Sequence, residues 1–188
     1  MGQDQPYDGG AGISVWEFSA PLTRDSGAVG QILKVAPEPF AGFDGTAFTL
    51  TSNLDTLVAQ INATNAVYTE SAMSFMTPPD PANLVALKNR GGKIIVYHGN
   101  SDQIFSSNDS ETWYKAAQAN NGGDASNFAR FFRVPGMGHC SGGPATDKFD
   151  AVQSLVDWVE SGTAPDKITA YVRATGNAGG ANANLPAT

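Results

Sequence analysis

The chain has 188 residues, of which 41% are hydrophobic and 15% charged, enough apolar material for the core of one domain. Eleven basic against 18 acidic residues give a formal net charge of −7, and no basic cluster stands out, so we expect no nucleic-acid partner. No apolar run approaches the ~20 residues that a membrane span needs, and the single cysteine, Cys140, excludes an internal disulfide and a multi-cysteine zinc site.

The N-terminal part of the sequence, from residue 13 to about residue 81, shows no clean hydrophobic period. Turn signals such as Asp44-Gly45 interrupt it, and its aromatic residues are scattered. We therefore predict loops and short helices here, anchored by aromatic rings. One of these helices is predicted over residues 55–60.

The second half of the sequence is more regular. A β-branched apolar run bounded by glycines predicts a buried parallel strand over residues 93–98. A helix is predicted over 107–120, a second strand over 128–134 and an amphipathic helix over 147–162. Residues 167–172 form either a short edge strand or a connection. This order of elements predicts an α/β protein with a parallel sheet.

Two loops follow the predicted strands, at the ends where parallel sheets collect functional groups. Asp102 lies four residues after the first strand, and His139 lies in the glycine-rich segment 135–143 after the second. An acid and then a histidine, with a helix between them, is the order of the last two members of a Ser-Asp-His relay in α/β-hydrolases. The alternative is a turn aspartate and an unrelated loop histidine. We expect His98, which ends the first strand, to be structural rather than catalytic.

The relay also requires a nucleophilic serine, which α/β-hydrolases carry in a G-x-S-x-G turn between a strand and a helix. No serine in this sequence satisfies that pattern, and Ser14 has only the first of the two glycines. Ser141 lies two residues from His139 after the same strand, where the two side chains would struggle to meet. We therefore expect Ser141 to be a loop residue, and the nucleophile is not identifiable.

Two stretches of the second half make the sequence similar to a known family. GGKIIVYHGNSD at residues 91–102 and FFRVPGMGHCSGGP at residues 131–144 resemble the tannase/feruloyl esterase family. The resemblance is good from about residue 66 to residue 174 and looser before that. The segment 135–144 is the most specific part of it.

The resemblance implies a fold and a division of the chain. The fold class is α/β, the C-terminal part of an α/β-hydrolase fold with a parallel sheet and flanking helices. By the same resemblance, residues 1–70 would be an irregular remnant of the family's lid insertion. Residues 71–173 would be the C-terminal half of the catalytic domain, and residues 174–188 a flexible tail.

The resemblance also implies roles for four residues. Asp102 matches the catalytic acid and His139 the catalytic base. Phe105 matches a substrate-side position, where an aromatic ring can pack on the acyl group of the substrate. Cys140 matches a cysteine that pairs with another cysteine just before the nucleophilic serine, so its partner is absent from this sequence.

Several features of the family have no counterpart in this sequence. These are the serine turn with its cysteine, the first strands of the sheet, the donors of the oxyanion hole and the calcium loop of the lid. We expect no metal and no other cofactor. These departures predict that the sequence is a C-terminal piece of a longer protein.

Together these features predict a serine carboxylesterase acting on aromatic esters, such as feruloyl or galloyl esters. The expected partners are a small aromatic ester substrate and either a second copy of the chain or a complementing N-terminal segment that supplies the serine. No membrane partner is expected. The resemblance implies that Cys140 is half of a disulfide and not a buried thiol, which favours an oxidising compartment, so the predicted location is secreted or periplasmic.

Two other functions stay open at this point. The chain could be a non-catalytic remnant that binds aromatic ligands or a partner chain without turnover. It could also be an unorthodox hydrolase whose nucleophile is Ser101, Ser106 or Ser141.

Overall fold

A computed structural model describes residue 19 and residues 21–102, 104–143 and 145–173. The predicted flexible tail, 174–188, lies outside these residues. Within the part of the chain that the model describes, no helix is both long and apolar enough to cross a membrane.

The described chain forms two compact units, one within Ile13–Pro81 and one within Ala82–Thr188. The division expected from the resemblance, between residues 70 and 71, concerns the extent of the lid segment and stays a prediction. The second unit contains both of the loops that the sequence selects as functional.

The first unit is built from short helices, as predicted. Its described residues form two π-helical turns and three α-helices: Pro21–Asp25, Ala28–Leu33, α1 (Gly45–Thr51), α2 (Leu54–Ile61) and α3 (Ala72–Met76). The side chains of Asp44, Asn53 and Ser71 cap the three α-helices, each accepting a hydrogen bond from the backbone amide three residues later. The helix predicted over 55–60 is confirmed as α2, with one more residue at either end.

The second unit contains a β–α–β arrangement. Its elements are α4 (Val85–Asn89), β1 (Ile94–Gly99), α5 (Ser107–Ala119), β2 (Ala129–Val134) and α6 (Ala151–Ser161). The strands pair in parallel, with Ile94 opposite Ala129 and Gly99 opposite Val134. The predicted order of strand, helix, strand, loop and helix is therefore confirmed.

The two longer helices cover opposite faces of this sheet. Tyr114 of α5 packs on Phe131, with ring centroids 5.9 Å apart, and its hydroxyl donates to the Ala129 carbonyl at 3.3 Å. The buried indole of Trp158 on α6 lies 5.5 Å from the guanidinium carbon of Arg130. Because Arg130 and Phe131 are adjacent in β2, their side chains point to opposite faces.

The prediction that β1 is a buried strand is wrong in part. Most of its residues are half-buried, and the side chain of Tyr97 is exposed, although its ring packs edge-on against Phe149 at 4.9 Å. Among the described residues β2 is the only strand paired with β1. The apolar composition of β1 therefore exceeds what this sheet alone buries.

The C-terminal helix is shorter than predicted. It begins after Asp150, whose carboxylate accepts from the amide of Gln153 at 2.7 Å, and it ends at Gly162 in the left-handed region (φ 72°). Within residues 167–172, one isolated antiparallel bridge, between Tyr171 and Lys148, replaces the possible edge strand.

Gly99, the last residue of β1, lies against the backbone of the loop that follows β2. A Cβ atom added at this position would lie 2.2 Å from the carbonyl oxygen of Met137, so the backbone would have to shift. We expect Gly99→Ala to lower the free energy of unfolding by about 1–3 kcal/mol, the usual cost of overpacking, measured by chemical denaturation.

The matched control for this prediction is Gly27→Ala. Gly27 has a helical backbone (φ −63°) and open space out to an ordinary contact of 3.6 Å with the side chain of Gln31. This variant is expected to unfold like the parent. If Gly99→Ala also unfolds like the parent, the close approach of the two backbones is not a constraint.

Candidate active site

The carboxyl ends of β1 and β2 lie at the same edge of the sheet because the strands are parallel. Main-chain hydrogen bonds join the loops that follow them. The amide of Asn100 donates to the carbonyl of Val134 at 3.0 Å, and the amide of Ser101 donates to the carbonyl of Met137 at 3.0 Å. Main-chain hydrogen bonds alone therefore hold the two predicted functional loops together.

The structure brings Asp102 and His139 into direct contact. Nδ1 of His139 lies 2.9 Å from Oδ2 of Asp102, although the two residues are 37 positions apart in the chain. The carboxylate side chain is 6% exposed and the imidazole side chain 32% exposed. With Nδ1 donating to the carboxylate, Nε2 of His139 is left to accept a proton.

The second oxygen of the Asp102 carboxylate is held by the backbone. Oδ1 accepts from the amides of Ile104 at 2.8 Å and Phe105 at 2.9 Å. Burial raises the pKa of Asp102, but the Phe105 amide, the hydrogen bond from His139 and the Ile104 amide outweigh it and hold that pKa below its ordinary value of 3.8. Asp102 is therefore an anion at neutral pH.

This pKa predicts a dependence of stability on pH. Because the pKa is lower in the folded than in the unfolded chain, ionised Asp102 stabilises the fold above its unfolded pKa. That contribution is lost as the pH falls through the folded pKa. We expect the difference in unfolding free energy between the parent and Asp102→Asn to shrink below about pH 4, measured by urea denaturation across pH.

The control is Asp166→Asn, because the Asp166 side chain is 92% exposed. Its effect on the free energy of unfolding should be small across the same pH range. A difference between the parent and Asp102→Asn that stays constant down to about pH 2 would contradict the prediction.

His98 also contacts the acid, which the sequence analysis missed. Its Nε2 lies 3.1 Å from Oδ2 of Asp102 and 3.2 Å from the carbonyl oxygen of Phe105, and its Nδ1 lies 2.8 Å from the hydroxyl of Ser110. The one sequence signal that could have indicated this contact is spacing. His98, at the end of a strand, lies only four residues before Asp102 in the following turn.

The loop that carries His139 is shaped by glycines and fixed by a buried side chain. Gly136, Gly142 and Gly143 have positive φ angles of 72°, 83° and 90°. The side chain of Met137 is buried against Val134 and Ala145. These features hold the histidine at a fixed place beyond the end of β2.

A buried ion pair braces the same loop. The carboxylate of Asp147 accepts from the amide of Gly142 at 2.5 Å and pairs with Arg173, the two charged groups lying 2.8 Å apart. The Asp147 side chain is fully buried and that of Arg173 is 12% exposed. Sequence reasoning placed Asp147 inside a helix and assigned no role to Arg173.

The other two predicted site residues lie at the surface of this site. The ring of Phe105 is exposed, and its centroid is 5.4 Å from that of His139. Cys140 has an exposed thiol. As the only cysteine in the sequence, it forms no disulfide within the chain.

The three serines considered as nucleophiles lie in different surroundings. Ser101 is buried, Ser106 caps α5 by accepting from the amide of Asn108 at 3.2 Å, and Ser141 is exposed. Within the described residues His139 hydrogen-bonds to Asp102 and to no serine. The same part of the chain holds no group of three or more His, Cys, Asp or Glu side chains placed to bind a metal ion.

The family model described as "Tannase and feruloyl esterase" matches residues 34–185. The chain belongs to the tannase and feruloyl esterase family. This match confirms the predicted resemblance, and the parallel sheet with flanking helices confirms the predicted α/β-hydrolase fold class.

Individual relatives in the tannase and feruloyl esterase family match only part of their own length. The chain is 44% identical over 135 residues to mono(2-hydroxyethyl) terephthalate hydrolase of Piscinibacter sakaiensis, covering 72% of this chain and 22% of the relative. It is 38% identical over 104 residues to feruloyl esterase B of Aspergillus niger, covering 46% of this chain and 20% of that protein. The chain thus spans about a fifth of the length of these relatives.

A solved structure shares the fold. The crystal structure of an esterase from Aspergillus oryzae aligns with a TM-score of 0.51 at 23% sequence identity, covering 74% of this chain and 29% of that one. It supports the arrangement of the elements and not the chemistry.

Proposed function

We propose that this chain supplies the acid and the base of a serine carboxylesterase of tannase/feruloyl esterase type. The observation that carries the proposal is the hydrogen bond of 2.9 Å between Nδ1 of His139 and Oδ2 of Asp102. It joins the two loops that carry the sequence motifs of the family. A carboxylate on one imidazole nitrogen and a free second nitrogen form the acid–base half of a hydrolytic triad.

The mechanism follows from that geometry. Nε2 of His139 takes the proton of the serine hydroxyl as its oxygen attacks the acyl carbon, and then gives that proton to the departing alcohol. Water next attacks the acyl-enzyme, loses a proton to Nε2 and releases the acid, and the serine regains its proton. Asp102 keeps the proton of the neutral ring on Nδ1 and stabilises the imidazolium that forms in each step.

The proposed substrates are esters of aromatic acids, such as feruloyl or galloyl esters. The exposed Phe105 ring beside His139 supports this class, because an aromatic acyl group can stack on it next to the base. The names of the two relatives, a terephthalate monoester hydrolase and a feruloyl esterase, also point to aromatic acyl groups.

We propose that the serine comes from a complementing N-terminal segment. No serine within the described residues is hydrogen-bonded to His139, and β1 has one edge without a strand partner among them. The exposed thiol of Cys140 is available for a disulfide with a cysteine near that serine. Such a disulfide requires an oxidising compartment, which suits a secreted or periplasmic protein.

The test compares ester hydrolysis by the 188-residue chain with hydrolysis by the protein that its native gene encodes (the natural gene product), using methyl ferulate and p-nitrophenyl acetate. We expect the gene product to hydrolyse both esters and His139→Ala to lower kcat at least about 10,000-fold. The 188-residue chain alone should hydrolyse neither ester and should not react with a serine-directed phosphonate. Labelling of Ser101, Ser106 or Ser141 in the isolated chain would place the nucleophile inside it and contradict the external serine.

A second candidate is a non-catalytic module that binds aromatic acids. The observation that favours it is that His139 contacts an exposed aromatic ring but no serine within the described residues. Ferulate would then bind without turnover in every form of the protein. Phe105→Ala would weaken this binding, whereas Phe40→Ala, at another exposed phenylalanine in the first unit, would not.

A further inference from the structure

His98 is the other of the chain's two histidines, and its side chain is 14% exposed. It lies at the end of β1, on the face of the sheet that α5 covers. The ring reaches three groups: the carboxylate of Asp102, the carbonyl of Phe105 and the hydroxyl of Ser110 on α5. Two of these groups belong to the candidate active site and the third anchors the ring to a helix.

These contacts decide where the proton of neutral His98 lies. Its Nε2 faces a carboxylate oxygen and a carbonyl oxygen, and both of these groups only accept hydrogen bonds. Nε2 therefore carries the proton, and Nδ1 accepts from the hydroxyl of Ser110. His139 has the opposite arrangement, because its Nδ1 donates to Asp102.

The Asp102 carboxylate thus receives four N–H donors. The amides of Ile104 and Phe105 donate to Oδ1, and His98 and His139 donate to Oδ2. An ionised carboxylate offers about four lone-pair positions, so this set fixes its plane.

We propose that His98 is a positioning residue of the acid–base pair, which holds the Asp102 carboxylate and the Phe105 segment in place for His139. The inference rests on the proposed function only in that Asp102 and His139 carry out the chemistry. Among the described residues His98 hydrogen-bonds to Asp102, Phe105 and Ser110 and not to His139.

In this arrangement His98 and His139 both donate a hydrogen bond to the same negative charge, the carboxylate of Asp102. The charged and titratable groups around His98 are Asp102 and His139 in the loops, Arg133 opposite it on β2, and Glu111 of α5, which pairs with Arg133. When the donor on His98 is removed, more of the Asp102 charge remains for His139. The imidazole of His139 then becomes more basic, while the Phe105 segment loses one of its anchors.

The experiment is NMR of the imidazole nitrogens in the 188-residue chain, which has only two histidines to assign. In the parent we expect the neutral rings in opposite tautomers, with the proton of His98 on Nε2 and that of His139 on Nδ1. In His98→Phe, the pKa of His139 should rise by roughly 0.5–1 unit. In His98→Gln it should stay within about 0.2 unit of the parent, because the amide of glutamine can still donate to both oxygens.

Tyr97→Phe is the matched control, because Tyr97 neighbours His98 in β1 but points to the other face, where it packs on Phe149. It should leave the titration of His139 unchanged. The proposal is overturned if the parent shows His98 protonated on Nδ1, or if His98→Phe and His98→Gln titrate alike. If His98→Phe fails to fold, the tautomer in the parent and the titration of His98→Gln decide the question.

Neither readout requires turnover, so the two ideas can fail separately. A natural gene product that does not hydrolyse aromatic esters but shows the expected tautomers would overturn the proposed function alone. An active gene product in which His98→Phe leaves both the titration of His139 and kcat unchanged would overturn the positioning role alone.

Discussion

Replacing Asp102 by asparagine is expected to lower kcat for methyl ferulate about 10,000-fold in the natural gene product, with KM changed little. Asparagine keeps the shape of the side chain, but its amide can donate to Nδ1 of His139. The imidazole proton then moves to Nε2, the atom that must accept the proton of the serine. The base is present but carries its proton on the wrong nitrogen.

The measurement is steady-state hydrolysis followed by release of ferulate. Asp166→Asn is the matched control, since it makes the same chemical change on a side chain that is 92% exposed. It should stay within about twofold of the parent, as surface substitutions usually do. An Asp102→Asn variant that keeps more than about a tenth of the parent kcat would remove the acid from the mechanism.

Replacing Arg173 by alanine should cause the largest loss of stability, about 3–5 kcal/mol in the free energy of unfolding. It removes the cation from a fully buried carboxylate, Asp147, which also holds the amide of Gly142 in the histidine loop. Removing one partner of a buried ion pair leaves the charge of the other partner in a medium that solvates it poorly. Chemical denaturation at neutral pH gives the difference.

The control for this prediction is Arg24→Ala. Arg24 also pairs with an aspartate, Asp25, but both side chains are more than 40% exposed. Water screens exposed ion pairs, which therefore contribute little to stability, so this variant should unfold close to the parent. Equal losses of unfolding free energy for Arg173→Ala and Arg24→Ala would show that the Asp147–Arg173 pair does not stabilise the fold.

The sequence predicts the order of the elements in the second unit because the signals are local. Glycines bound β1, and a β-branched run between them favours a strand. The apolar face of α6 recurs with the helical period, and Gly162 ends the helix as expected. The acid and the histidine follow from strand order alone, since parallel strands deliver their next loops to one edge.

The sequence does not predict contacts that depend on tertiary structure. The predicted helix over 147–162 begins only after Asp150, because the carboxylate of Asp147 is used by Gly142 and Arg173. Nor does a strand pattern reveal that the ring of His98 turns toward Asp102. The burial of β1 was overestimated because burial depends on neighbouring strands, whereas an apolar run reports only composition.

The hydrogen bonds described for Asp102 and His139 all come from residues 98–139, within one β–α–β unit. The acid and the base therefore form a single cassette, and the Asp147–Arg173 pair braces its histidine loop from outside. Alignment with a nucleophile then becomes a question of how this whole cassette docks, and not of how its side chains adjust. Because Phe105 lies inside it, the cassette carries part of the proposed substrate contact together with the acid and the base.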